Sequence, residues 1–131
     1  MAEGDGEGGV EMPSNEECTA RLRADLQTMD KLTEQIHQQL RKIDTTLRLP
    51  PPGKVGTFLE GAAALVRKHL KINDQLREER RAMLSRETDW TMLNWDEAEK
   101  TSRDAIEGLQ GLLATIDTVV VKFVPQPGQL N

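Results

Sequence analysis

From Leu22 onward the apolar residues recur at alternating steps of four and three: Leu22, Leu26, Met29, Ile36, Leu40, Ile43 and Leu47, with Thr33 the one polar member of the run. This spacing keeps one face of an α-helix apolar and does not fit the two-residue period of a strand. Pro50-Pro51-Pro52 ends the run, because proline lacks the N–H the helix needs and disfavours helical geometry in the residue before it. At the other end, Ser14 and Glu17 have the spacing of a capping box, in which each satisfies a free N–H of the first turn. The expected first helix therefore spans 14–49.

The same pattern returns twice. After a short connector, Pro50–Gly56, Thr57 and Glu60 have capping-box spacing, and a second helix is expected over 57–87. It fits two overlapping phases. One is Leu59, Ala62, Val66, His69, Asn73, Leu76, Arg80 and Met83; the other is Phe58, Ala62, Leu65, His69, Ile72, Leu76, Glu79 and Met83. Two phases mean a broad apolar face, as a helix with two neighbours needs. Asn94 and Glu97 suggest a third start, and the stripe Ala98, Ser102, Ala105, Leu109, Leu112, Ile116, Val119 and Phe123 predicts a third helix over 95–123. On this helix Asp96→Lys100 and Glu99→Arg103 are expected to pair on the outer face.

The fold class follows: all-α, an elongated up-down-up three-helix bundle or coiled coil over 14–124. Residues 1–13, rich in Gly and acids, and 125–131 are expected to be disordered tails. The alternative is a continuous arm over 57–123 that pairs with another chain. If the first turn centres near residue 52, position i meets about 104 − i, which places His69 near Ile36. A second turn near 91 sets Gly61–Ala64 against Asp117–Val121.

Composition narrows the function. The 131 residues include 17 basic and 22 acidic side chains, a formal charge of −5. The acids gather at the two ends and the bases in 57–88. An acidic total argues against nucleic acid, and no aromatic residue interleaves the basic run to stack bases. The single cysteine, Cys18, excludes an internal disulfide and fits a reducing compartment. There is no secretory signal pattern, and Leu112–Val124 is too short to span a bilayer, so a soluble cytoplasmic or nuclear protein is expected.

Motifs with chemistry are sparse. Gly4-x-Gly6-x-x-Gly9 has dinucleotide spacing but lacks the strand-turn-helix setting, and Gly53-Lys54 lacks the rest of a phosphate loop. Glu34-x-x-His37 is half of a di-metal pair, but His69 has Val66 where the second carboxylate belongs. No catalytic, cofactor or metal residue is assigned, and the chain reads as a non-enzyme. His69, Asn73 and Thr33 read as a polar layer that fixes register.

The candidate partner-binding residues are Trp90 and Trp95, half of the four aromatic residues, together with Arg77, Arg80 and Arg81. The tryptophans also suit a cap on the end of the core. The expected function is a helical interaction protein, a subunit or adaptor of a larger, hetero-oligomeric assembly of helical proteins, with no small-molecule substrate. The alternative is a peripheral membrane or lipid adaptor using the basic helix 57–88, provided that helix exposes an apolar face beside its bases.

Overall fold

The computed structural model describes residues 12–49, 53–86 and 88–125. Three helices account for nearly all of them: α1 over Asn15–Arg48, α2 over Gly53–Ser85 and α3 over Met92–Phe123. No strand occurs among the described residues. The expected tails, 1–13 and 125–131, fall almost wholly outside this set, as does Pro50-Pro51-Pro52.

The start of α1 is built as its sequence predicts. Ser14 Oγ accepts from Glu17 N at 3.1 Å, and the Glu17 carboxylate accepts from Ser14 N at 3.3 Å. The other two starts differ from expectation. α2 begins at Gly53, whose φ of +45° is a conformation that L side chains resist, so Thr57 sits inside the helix rather than capping it. α3 is capped by Thr91, whose hydroxyl accepts from Asn94 N at 3.3 Å; Asn94 is the recipient of a cap and not the cap itself.

The helices run up, down and up. Between α1 and α3 the contacts keep nearly constant separation along the chain: Asn15 with Asp89, Trp90 with Thr19, and Gln39 with Asp117. The two helices are therefore parallel. α2 runs against both, as Arg67 with Asp44 and Arg77 with Asp30 show on one side, and Phe58 with Phe123 on the other. A continuous 57–123 arm is not what forms.

Register across the second link matches the expectation, since Phe58 meets Phe123 and Arg80 meets Ser102. Register across the first link does not. A turn centred on residue 52 sets Asp30 against Asp74, two like charges. The structure sets Asp30 against Arg77 and Arg81, at 2.7 and 2.8 Å. The displacement exchanges repulsion for attraction.

Two clusters make the core. The larger runs along the rod and contains Met29, Ile36, Ile43, Leu59, Val66, Leu109, Ile116 and Val120. The smaller, at the end where α2 passes into α3, contains Cys18, Leu22, Trp90, Trp95 and Ala98. α1 packs extensively on both other helices, while α2 and α3 touch each other least. The expected polar layer does not assemble. Thr33 is buried with its hydroxyl unpartnered, His69 is exposed, and Asn73 donates to the carbonyl of His69 on its own helix. Thr33 faces into the core, whereas His69 and Asn73 lie outside the buried stripe of α2.

Two substitutions test this packing. Thr33→Val keeps the shape and removes the unsatisfied hydroxyl, so it is expected to stabilise by about 1 kcal/mol. Gly111→Ala meets no atom within 4 Å and is expected to add about 1 kcal/mol from helix propensity alone. Urea midpoints measured beside the parent chain check both, with a gain expected in each case.

Candidate functional site

The residues singled out by sequence fall into two places, the tryptophans and Arg80 buried and Arg77 and Arg81 partly exposed. Trp90 and Trp95 are both buried and meet edge to face, with ring centroids 5.9 Å apart and planes at 76°. Arg21 stands 5.9 Å from the Trp95 ring. Asn15 ties the link between α2 and α3 to this end, donating to Asp89 at 2.8 Å and accepting from Trp90 N at 3.1 Å. The pair closes the core where the link crosses α1. Its aromatic area is spent on the chain's own packing.

The three arginines are all paired within the chain, Arg80 in the interior and Arg77 and Arg81 on its flank. Arg77 donates to Asp30 and Asp74, and Arg81 to Asp30 and Glu78. Arg80 is only 2% exposed. Its guanidinium reaches Ser102 Oγ at 2.8 Å, the Ala98 carbonyl at 3.2 Å and Glu79 at 2.8 Å. Arg80 is thus a strut between α2 and α3, and the reading of it as a partner contact is corrected by its burial. Its place on the apolar stripe was the signal. A charged residue at a core position needs partners supplied by the fold.

Cys18 is fully buried, and burial pushes its thiol up from the ordinary value, so the nucleophilic thiolate is disfavoured. Among the described residues no three His, Cys, Asp or Glu side chains converge as a metal site would require. His37 and Glu34 remain on the flank of α1. Gly53 and Lys54 open α2, and Gly4, Gly6 and Gly9 lie outside the described residues.

Two features were not found from sequence. The first is a groove of about 310 Å³ between α2 and α3. His69, Ile72 and Leu76 line it from α2, and Asp104, Ala105 and Gly108 from α3. Beside it α2 exposes three large apolar side chains at seven-residue steps: Phe58 at 49%, Leu65 at 51% and Ile72 at 57%. These belong to the second of the two sequence phases. The buried stripe is instead Leu59, Ala63, Val66, Leu70 and Arg80, which shares Leu59, Val66 and Arg80 with the first phase but passes through Ala63 and Leu70, residues that neither phase included. Of the three, Ile72 lines the groove, where α3 offers the small residues Thr101, Ala105 and Gly108, while Phe58 packs on Phe123 with ring centroids 4.9 Å apart.

Charge is divided across the groove. Lys54 precedes Phe58 by four residues, and Lys68 sits one helical turn from both Leu65 and Ile72. Neither lysine, nor Lys71 beyond them, has an ion pair or hydrogen bond among the described residues. The α3 wall carries Asp104. The second feature is a carboxyl pair, Asp25 and Glu99, in side-chain contact across the α1–α3 seam. Glu99 does pair with Arg103, at 3.6 Å, but on a half-buried flank rather than the outer face the sequence suggested.

No helix among the described residues is long and apolar enough to cross a membrane. The burial of Arg80 has a direct consequence. Arg80→Ala is expected to cost about 3 kcal/mol, because the Ser102 hydroxyl and Ala98 carbonyl lose their buried donor. Arg80→Met, which refills the volume, is expected to cost less, and thermal melts of the two side by side check the order. Against known protein families, curated proteins and solved structures, the chain gives no match.

Proposed function

We propose that this chain is a non-enzymatic helical adaptor, a subunit of a larger assembly, that docks one amphipathic helix of a partner protein in the α2/α3 groove. The observation that carries the reading is the exposed Phe58, Leu65 and Ile72 stripe beside that groove. A stripe at seven-residue steps is the complement of a helix laid along it. Adding a fourth helix would cover the face that α3 leaves open and complete a four-helix arrangement.

Charge defines the occupant. Lys54, Lys68 and Lys71, without an ion pair among the described residues, favour acidic residues along the partner's edge on the α2 side, and Asp104 favours a base on the α3 side. The buried tryptophans and internally paired arginines serve the fold, so the contact residues move from the notable side chains to plain aliphatic ones. A cytoplasmic or nuclear location belongs to the same proposal.

The membrane reading has one observation in its favour, since α2 does expose apolar residues beside lysines. Asp104 on the facing wall, with Glu97 and Glu107 near it on α3, repels an anionic bilayer, and this favours the protein partner.

The test is affinity purification with mass spectrometry from the native cell, comparing the parent chain with Leu65→Glu/Ile72→Glu. Both positions are half exposed, so the double variant is expected to keep its helical circular dichroism. Loss of two anchors is expected to weaken binding by at least about 100-fold and remove the stoichiometric partner. Undiminished recovery of the partner overturns the groove as the dock. A parent chain that recovers no stoichiometric partner, but sediments with anionic liposomes at low salt, overturns the adaptor reading in favour of the membrane one.

A further inference from the structure

Where α1 and α3 run side by side near the tryptophan end, two acidic side chains meet. Asp25 is buried on α1 and Glu99 half buried on α3. Asp25 Oδ2 and Glu99 Oε1 are both shielded from solvent, and neither has a hydrogen-bond donor. Two carboxylates are acceptors only, so they make a stable contact when a proton lies between them. The contact is placed to matter. Leu22 precedes Asp25 by one turn, Trp95 precedes Glu99 by one turn, and both belong to the small core cluster at that end.

The cations nearby, Arg103 and Arg21, offset the pair only in part, and burial with the Asp25 contact outweighs them. On α3, Arg103 lies 3.6 Å from Glu99 Oε1 but is largely exposed. On α1, Arg21 is turned over the Trp95 ring. From α2, Arg80 reaches the Ala98 carbonyl and Ser102, and its ion-pair partner is Glu79. Cys18, buried at the same end, is the remaining titratable group that feels Glu99.

We propose that Asp25 and Glu99 share a proton that latches α1 to α3, and that loss of this proton loosens the tryptophan end of the bundle. Burial first, then the contact with Asp25, pushes Glu99 up from 4.5 to about 7. The folded form therefore holds a proton between pH 4.5 and about 7 that the unfolded chain has released. The stability linked to this proton is present at the acidic end of that window and is lost as pH rises through it. Above about 7, two carboxylates face each other across the seam, and the α1–α3 packing next to Trp95 carries their repulsion.

Trp90 and Trp95 are the chain's two tryptophans, so fluorescence reports on this end alone. Acrylamide quenching should be followed from pH 5 to 8.5 in the parent, Glu99→Gln and Asp25→Asn. An amide at either position donates permanently to the remaining carboxylate and replaces the shared proton. The expected result is quenching that rises in the parent with a midpoint near 7 and stays level in both variants. Melting temperatures should agree at pH 5, and at pH 8.5 the variants should exceed the parent by roughly 4 °C or more. Parent quenching that is flat across the range, or that rises equally in Glu99→Gln and Asp25→Asn, overturns the latch. The adaptor reading stands or falls separately, since it depends on Leu65 and Ile72 and not on this end.

Discussion

The unbroken apolar stripe of α1 is the constraint on which the rest of the molecule depends. Its buried members, Leu22, Leu26, Met29, Ile36, Leu40 and Ile43, serve two neighbours at once. A single narrow stripe contacts a second helix. To contact two, a helix must place them on either side of its stripe, and those two then approach each other only as far as their own side chains allow. Phe58 on Phe123 and Arg80 on Ser102 hold α2 and α3 together toward the two ends of their seam. Between these points the seam faces Ala105 and Gly108, and there it stays open. The groove is a consequence of α1 acting as the spine.

Polar burial follows the same geometry. Each helix places charged residues beside its stripe, and packing decides which find an opposite charge. On the α1–α2 side the outcome is favourable, with Asp30 between Arg77 and Arg81 and Asp44 against Arg67. Exposed pairs of this kind contribute little individually, about 0.5 kcal/mol each, but they bias register because the alternatives set like charges together. On the α1–α3 side the outcome is Asp25 against Glu99. Parallel helices in fixed register cannot slide to avoid it, because Trp90 and Asn15 pin one end and Gln39 with Asp117 the other. A proton is the cheapest remaining way to relieve that contact.

Much of the fold is legible in the residues. The four-three spacing, the Ser14–Glu17 box and the prolines at 50–52 point to three helices and where α1 begins and ends. The start of α2 is not legible, since it depends on a glycine in a left-handed conformation that composition does not reveal. Nor is the rotation of α2 legible, which buries Ala63 and Leu70 and leaves His69 exposed, away from Thr33. The site was less legible than the fold. Trp90, Trp95 and Arg80 draw notice because their side chains are large and distinctive, and those same properties make them useful for closing a core with few aromatics. Phe58, Leu65 and Ile72 were visible only as one of two phases, and sequence does not say which phase a partner helix buries.

The choice of which stripe α2 buries can be argued from size. α2 buries Leu59, Ala63, Val66 and Leu70, a stripe whose Ala63 lets the helix axes approach closely. The Phe58, Leu65 and Ile72 phase is bulkier and would hold α2 further from α1, at the expense of the tightly packed row along the spine. With the smaller stripe inward, the bulkier one is left beside α3, covered at Phe58 by Phe123 but meeting only small residues where Ile72 lines the groove. Half-exposed side chains of this size retain about 1 kcal/mol each of unrealised burial, or roughly 3 kcal/mol over the stripe. That sum is below what association of two bodies costs. A helix that occupies the groove therefore has to bring large apolar side chains of its own to fill the space over Ala105 and Gly108, and the lysines and Asp104 then set which such helix is accepted.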